Sequence, residues 1–187
     1  DLTVYLCYNK IVDISEVVCM EYITMVMKKA EIEDLNIVVK LKIDMFTEVG
    51  SISLLQDNAE EQIYEKYKEL YQEGKGCHYL VYENDSVVAC GGAVIKEDVP
   101  FCFFKTPMYG YIIDVYCIPE KRRNGYSSKI IEVLLQWLKS KGVHTIKLKP
   151  SEIGKQLYEK FGFKNLGIRK KYYNNTQDAY IMTKYDN

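Results

Sequence analysis

The 187-residue chain lacks several features that would assign it quickly. It has six cysteines, at 7, 19, 77, 90, 102 and 117, but no CxxC or other close pair. That spacing offers neither the tight ligand sets of zinc sites nor a small disulfide framework. No apolar run approaches the roughly 20 residues that cross a bilayer as a helix, so no membrane role is expected. Residues 1–26 have no basic start, uninterrupted apolar stretch or small-residue cleavage site, as a secretory signal would. There is no charge excess of either sign: 25 basic and 26 acidic side chains leave a net charge of −1. A general nucleic-acid coat is strongly basic, so no nucleic-acid partner is expected. With four prolines against 13 % aromatics, seventeen of them tyrosine, the chain is too rich in core-forming residues to be disordered. Most cysteines lie in apolar, strand-like surroundings, where a reduced thiol behaves as a small hydrophobe. A reducing, cytoplasmic setting is expected.

What is present fits one domain. Residues 1–26 are rich in Val, Ile, Tyr and Cys but are interrupted by acids, and they are set apart as an N-terminal extension of unknown role. A cleaner pattern begins at Met27, so the domain is expected over 27–187. The expected elements are a strand at 28–32, helices over 34–46 and 58–73, and a hairpin of 78–83 and 87–95 around Asn84-Asp85. A strand at 109–118, a helix over 124–141, a strand at 144–149, a helix over 152–160, and closing strands at 163–172 and 178–185 follow. Gly142 and Gly162 stand just past the two late helices, where a glycine ends a helix. This order implies an α/β fold with a mixed sheet.

One stretch carries chemistry. An apolar strand ends at Pro119, a basic loop of Lys121, Arg122 and Arg123 follows, and Gly125 leads straight into an amphipathic helix with Ile130, Leu134, Trp137 and Leu138 on one side. The first amides of a helix have no partner within it, and the macrodipole places partial positive charge there. With Gly125 removing a side chain, the loop suits a pyrophosphate. Neither GxxxxGK[ST] nor GxGxxG occurs, so the nucleotide-binding loops with those fingerprints are not indicated.

The segment Arg122-x-x-Gly125-x-Ser127 resembles the acyl-CoA pyrophosphate loop of the GNAT superfamily of N-acetyltransferases, written R/Q-x-x-G-x-G/A, with Ser127 at the third small position. About 30 residues on, Ser151-Glu-Ile-Gly154-Lys-Gln-Leu-Tyr158, followed by Gly162-Phe163, is similar to the last core helix of that family. The likeness covers 27–185, is best over 109–165, and looks closest to bacterial members of unassigned substrate. It implies a mostly antiparallel sheet with a splayed parallel strand pair and helices on both faces. It also implies acetyl-CoA as co-substrate, no metal, and transfer of acetyl to an amine of a small molecule or protein by direct attack in a ternary complex. The pantetheine arm would follow the backbone of Val115, Tyr116 and Cys117. Arg122, Arg123, Asn124, Gly125, Tyr126 and Ser127 would hold the pyrophosphate, and Ser151 would stand where relatives carry an Asn contact. Tyr158 would be the general acid for the departing thiolate, and Asp114 would bind or help deprotonate the acceptor amine.

In this superfamily acceptor choice is set mostly by the segments at 46–76 and 97–109. These hold Glu48, Asp57, Glu60 and Glu61 beside Phe101, Phe103, Phe104 and Met108, a mixture that would suit a cationic, partly apolar amine. A non-catalytic acyl-CoA-binding or sensing module of the same fold, and a homodimer, stay open.

Overall fold

The computed structural model describes residues 4–14, 17–100, 107–173 and 176–185. Phe101, Phe103 and Phe104 of the expected acceptor region lie outside them. Eight strands form one sheet: β1 (Val4–Ile14), β2 (Val17–Lys29), β3 (Gly76–Glu83), β4 (Ser86–Glu97), β5 (Met108–Cys117), β6 (Thr145–Leu148), β7 (Lys164–Tyr173) and β8 (Gln177–Tyr185). Their spatial order is β1-β2-β3-β4-β5-β6-β8-β7, and all neighbours are antiparallel except β5 and β6. Four α-helices connect them: α1 (Leu35–Glu48), α2 (Ala59–Gln72), α3 (Tyr126–Ser140) and α4 (Glu152–Lys160).

The first of these strands was not anticipated, and the second was read only at its end. β1 pairs with β2, and β2 runs without interruption through Val26 and Met27 to pair with β3 at 25–29. The expected strand at 28–32 therefore ends at Lys29, and the chain turns through 32–34 before α1. The turn forms because the Asp34 carboxylate accepts the Glu31 N–H at 2.9 Å and the Lys28 ammonium at 2.9 Å.

The two faces of the sheet bury different clusters. Alternation in the strands sends successive side chains to opposite faces. Val81, Ala89, Ile112, Cys117 and Ile146 pack with Ile130, Ile131, Leu134 and Leu138 of α3. Leu80, Cys90 and Tyr116 pack with Leu35, Val38 and Leu41 of α1 and Tyr67 of α2. The four α3 aliphatics are fully buried. At about 1.5–3 kcal/mol each, their burial outweighs any local preference of the loop ahead of them and fixes where α3 begins. The β3–β4 hairpin turns at Asn84 and Asp85, both at positive φ (48° and 63°), the geometry favoured in two-residue hairpin loops.

Candidate functional site

β5 pairs with β6 through only two residues, Gly110 with Ile146 and Tyr111 with Lys147, although β5 continues to Cys117. Beyond Tyr111 the parallel strands separate, leaving the β6-facing edge of β5 without a strand partner. On its other edge β5 carries a bulge: Cys90 pairs with Tyr116 and Gly92 with Ile113, so Asp114 and Val115 together oppose Gly91. Asp114 takes φ 55°, a left-handed conformation costly for a residue with a Cβ. The added residue shifts the alternation by one position. Ile113 and Asp114 both face α1 and α2, whereas Val115 faces α3, where a Cβ on Gly91 would contact it at 3.2 Å and would meet Ile130 at 2.5 Å.

The Asp114 carboxylate, 3 % exposed, lies in a closed network. Lys42 of α1 donates to Oδ1 at 2.5 Å, and Tyr67 of α2 donates its hydroxyl to Oδ2. His78 Nε2 stands 3.1 Å from Oδ2, and the Tyr71 hydroxyl lies 3.0 Å from His78 Nδ1. Both ring nitrogens of His78 are thus engaged, one by Asp114 and the other by Tyr71. Lys42 also donates to Tyr67 at 2.9 Å, and the Cys90 thiol donates to the Asp114 carbonyl at 3.3 Å. The His78 ring crosses β4 over Gly92, and a Cβ there would overlap it. Burial alone would raise the Asp114 pKa, but the Lys42 charge and the His78 contact outweigh it and hold the carboxyl well below its usual range. Asp114 is thus a permanent carboxylate whose lone pairs are largely engaged, which makes it a weak proton acceptor.

This arrangement predicts that Lys42→Met destabilises the fold by about 3 kcal/mol at neutral pH, the scale for removing one partner of a buried ion pair. Because the folded-state pKa is depressed, the stabilisation is fully present above the unfolded value near pH 4. It is lost as pH falls from there toward the folded value. Urea unfolding at pH 7 and at about pH 3 checks both points: the gap between wild type and variant should narrow in acid. An equal gap at both would disprove the coupling.

At the far end of β5 the chain turns through 119–121 and enters α3. Arg123 and Gly125 take positive φ (67° and 81°), and Gly125 is the N-cap of α3. No side chain caps this end, and a Cβ on Gly125 would meet nothing within 4 Å. Ser127 stands half-exposed in the first turn.

Three predicted cofactor residues, Arg122, Asn124 and Tyr126, are otherwise engaged through their side chains. Arg122 donates Nε to the Cys117 carbonyl at 3.0 Å and Nη2 to both Glu48 oxygens at 2.6 Å. Its hydrogen bond and charge hold Glu48 below the usual carboxylate range, while burial and then Glu48 push the Tyr116 hydroxyl up to about 12. The Tyr126 ring is buried, and its hydroxyl donates to Glu83 at 2.6 Å, beside the Lys121 ammonium on the same carboxylate. Tyr126 offers the loop only its amide. Asn124 donates its side-chain amide to the Lys121 carbonyl at 3.0 Å, and Arg123 is exposed.

Tyr158 of α4 is 8 % exposed and belongs to the α3-side cluster, with its ring edge-on to Phe163 at 5.8 Å. None of the described residues hydrogen-bonds its hydroxyl, and burial, with a smaller contribution from Tyr173, pushes its pKa well above the ordinary phenol value. Ser151 is the N-cap of α4 and lies 3.8 Å from where a Cβ on Gly154 would stand. The two expected catalytic side chains, Tyr158 and Asp114, thus belong to the cores on opposite faces of the sheet. Lys42, Tyr67, Tyr71 and His78 are not singled out by the sequence as working residues, and Glu48, expected to face the acceptor, is bound to Arg122 instead. The consecutive glycines 91 and 92 in an otherwise β-rich strand were the available signal that large groups cross there. Among the described residues no three or more His, Cys, Asp or Glu are grouped to hold a metal, and no helix is long and apolar enough to cross a membrane.

Comparison with known proteins agrees with this geometry. An N-alpha-acetyltransferase 30 of Schizosaccharomyces pombe is 28 % identical over 112 residues, 58 % of this chain and 71 % of that protein. An acetyltransferase from Clostridium acetobutylicum, solved with acetyl-CoA, superposes with a TM-score of 0.67 at 22 % identity, covering 75 % of this chain and 90 % of its own. A chain of a NatC complex bound to Gag peptide and CoA gives 0.67 at 19 % identity, covering 87 % and 99 %. The model of the acetyltransferase (GNAT) family matches residues 42–163, which include the splayed strands, the Gly125 loop and Tyr158. With well over half its length matched, the chain belongs to the acetyltransferase (GNAT) family, an N-acetyltransferase by class.

Proposed function

We propose that the protein moves the acetyl group of acetyl-CoA to the amine of a protein or small molecule by direct attack within a ternary complex. The observation that carries this reading is the course of β5. It leaves β6 after two residue pairs and leads, through a left-handed Gly125, into the uncapped N-terminus of α3. A pantetheine arm would lie along 115–117 where a strand would otherwise pair, and a pyrophosphate would meet the amides of 125–127. Arg123, exposed at the loop, adds positive charge, while Arg122 braces the loop against Glu48 and the Cys117 carbonyl. Ser151, beside Gly154, stands where relatives place a contact to the arm.

The chemistry follows from the two buried groups. The neutral amine attacks the thioester carbonyl to form the C–N bond, the tetrahedral intermediate collapses, and the C–S bond breaks toward sulfur. Tyr158, kept protonated by burial, donates its O–H to the departing thiolate. The proton lost from nitrogen passes to water, from which Tyr158 is reprotonated. Asp114 supports this by holding the bulge of β5 in its left-handed turn, because its charge is already matched by Lys42. The catalytic domain is 27–187, and residues 1–26 extend its sheet by β1 and most of β2. Free thiols at Cys77, Cys90 and Cys117 suit a reducing cytoplasm.

Acetyl-CoA at 100 times its dissociation constant should stabilise the protein by about 2.7 kcal/mol, since it binds only the folded state. For a chain of this size that raises Tm by roughly 5–10 °C. ATP should do much less, because the loop lacks its fingerprint. A larger shift with ATP than with acetyl-CoA would overturn the assignment of the loop.

A further inference from the structure

Among the described residues, the α1–α2 side of the sheet, beyond the helices, carries a row of cations that form no ion pair with a carboxylate. On β5, Gly110 and Ile112 face α3, so Tyr109 and Tyr111 face the other way. On β6, Ile146 and Leu148 belong to the α3-side core, so Lys147 and its follower Lys149 share that other face. Four cations there stand over tyrosine rings. Lys147 Nζ lies 3.8 Å from the Tyr109 centroid and Lys96 Nζ 5.0 Å from that of Tyr111. Lys149 Nζ and Arg169 Cζ flank Tyr172 at 5.3 and 4.8 Å. None of the four is paired with a carboxylate among the described residues, whereas Lys170, next to Arg169, is paired with Asp178 at 2.7 Å. Lys147 and Lys149 are half-buried, and a cation held over a ring face keeps its charge available to a further anion. Asp98 lies near Tyr109, at one end of the array.

This surface adjoins the reactive residue. Tyr172 and Tyr173 meet edge to face at 5.0 Å, and Tyr173 donates its hydroxyl to the Lys149 carbonyl at 2.6 Å. Pro150, next in the chain to Lys149, and the Tyr158 ring lie 3.4 and 3.7 Å from where a Cβ on Gly154 would stand. From Lys96 on β4 to Arg169 on β7 the array crosses β5, β6 and β8, four strand spacings or roughly 19 Å. A single amino acid would touch one of these cations, whereas about six extended residues would reach them all. The acids expected to select a cationic acceptor are placed elsewhere. Glu48 is taken by Arg122, and Glu60 and Glu61 line a groove of about 530 Å³ between α1 and α2 with Asn36, Lys40 and Asp44.

We propose that the acceptor is an acidic peptide segment, its N-terminal amine at Tyr158 and its following carboxylates over the Lys96, Lys147, Lys149 and Arg169 face. This rests on the acetyl-transfer reading above and names its substrate class. The test uses hexapeptides with one common N-terminal residue and either Asp/Glu or Asn/Gln at positions 2–4. They are titrated calorimetrically into the protein–CoA complex and assayed in parallel with acetyl-CoA for thiol release. The acidic peptide should bind about tenfold more tightly at low salt, and its advantage should shrink as salt rises. Lys147→Gln combined with Lys149→Gln should bring the ratio toward one while leaving the KM for acetyl-CoA unchanged. Equal or tighter binding of the amide peptide, or free glutamate competing as well as the acidic hexapeptide, overturns the inference. An acidic preference in binding with no thiol released from any peptide overturns the acceptor assignment, while thiol release with a small-molecule amine in the same assay keeps the acetyl-transfer reading, so the two readings fail separately.

Discussion

Gly125→Glu is expected to abolish CoA binding while leaving the fold intact. Two local effects on stability partly offset each other, leaving a net cost of about 1 kcal/mol. Any residue with a Cβ at φ 81° loses about 1–2 kcal/mol, but a carboxylate at a helix N-terminus regains about 0.3–1 kcal/mol. The side chain enters open space, since a Cβ there meets nothing within 4 Å. What it would meet is the pyrophosphate. Two like charges 4 Å apart near a protein surface repel by about 4 kcal/mol, on the order of a thousandfold in affinity. Gly125→Ala serves as the companion, paying the conformational cost without the charge, and should retain binding within about tenfold. Calorimetric titration with CoA, alongside thermal unfolding, separates the effects. Near-native affinity in the Glu variant would show that the pyrophosphate lies elsewhere.

Tyr158→Phe is expected to lower turnover by about 10²–10⁴-fold, the usual contribution of a positioned general acid. The KM for acetyl-CoA should change little, because the proposed contacts lie on 115–127. Stability should be unchanged or slightly raised. The hydroxyl of this mostly buried ring has no hydrogen-bond partner among the described residues, so removing it breaks no bond within the protein. A stabilised variant that has lost turnover marks a group retained for chemistry. Should the variant keep more than about half the wild-type rate with chemistry rate-limiting, the thiolate takes its proton from another source, Ser151 or a water.

The late half of the fold was legible because its signals are local. The helix expected over 152–160 is observed with those bounds, and Gly142 and Gly162 end their helices at φ 72° and 82°. The Arg122–Ser127 loop could be read for the same reason: strand end, glycine and helix start are contiguous. The Asp114 network was not legible. Its members come from α1, α2, β3 and β5, and Lys42 lies 72 residues from the carboxylate it meets. A bulge leaves no mark in a strand's hydrophobic pattern beyond one displaced residue, so Asp114 could be placed on β5 but not assigned its neighbours. His78 carries no sequence signal of its own beyond Gly92, its cross-strand partner, which gives room for the ring. Glu48 was read as part of an acceptor-facing surface, whereas an arginine 74 residues away claims it.

The two residue pairs between β5 and β6 have a mechanical consequence. Strands β1 to β5 form one leaf and β6, β8 and β7 another, and the seam between the leaves is the shortest pairing in the sheet. Resistance to opening along that seam comes from side chains packed across it, chiefly Ile112, Ile146 and Leu138, rather than from a continuous backbone ladder. A ligand bonded along the free edge of β5 would act as a suture, adding main-chain hydrogen bonds where the protein has fewest. Cooperative unfolding of the two leaves as a single unit would then depend on what occupies the gap between them.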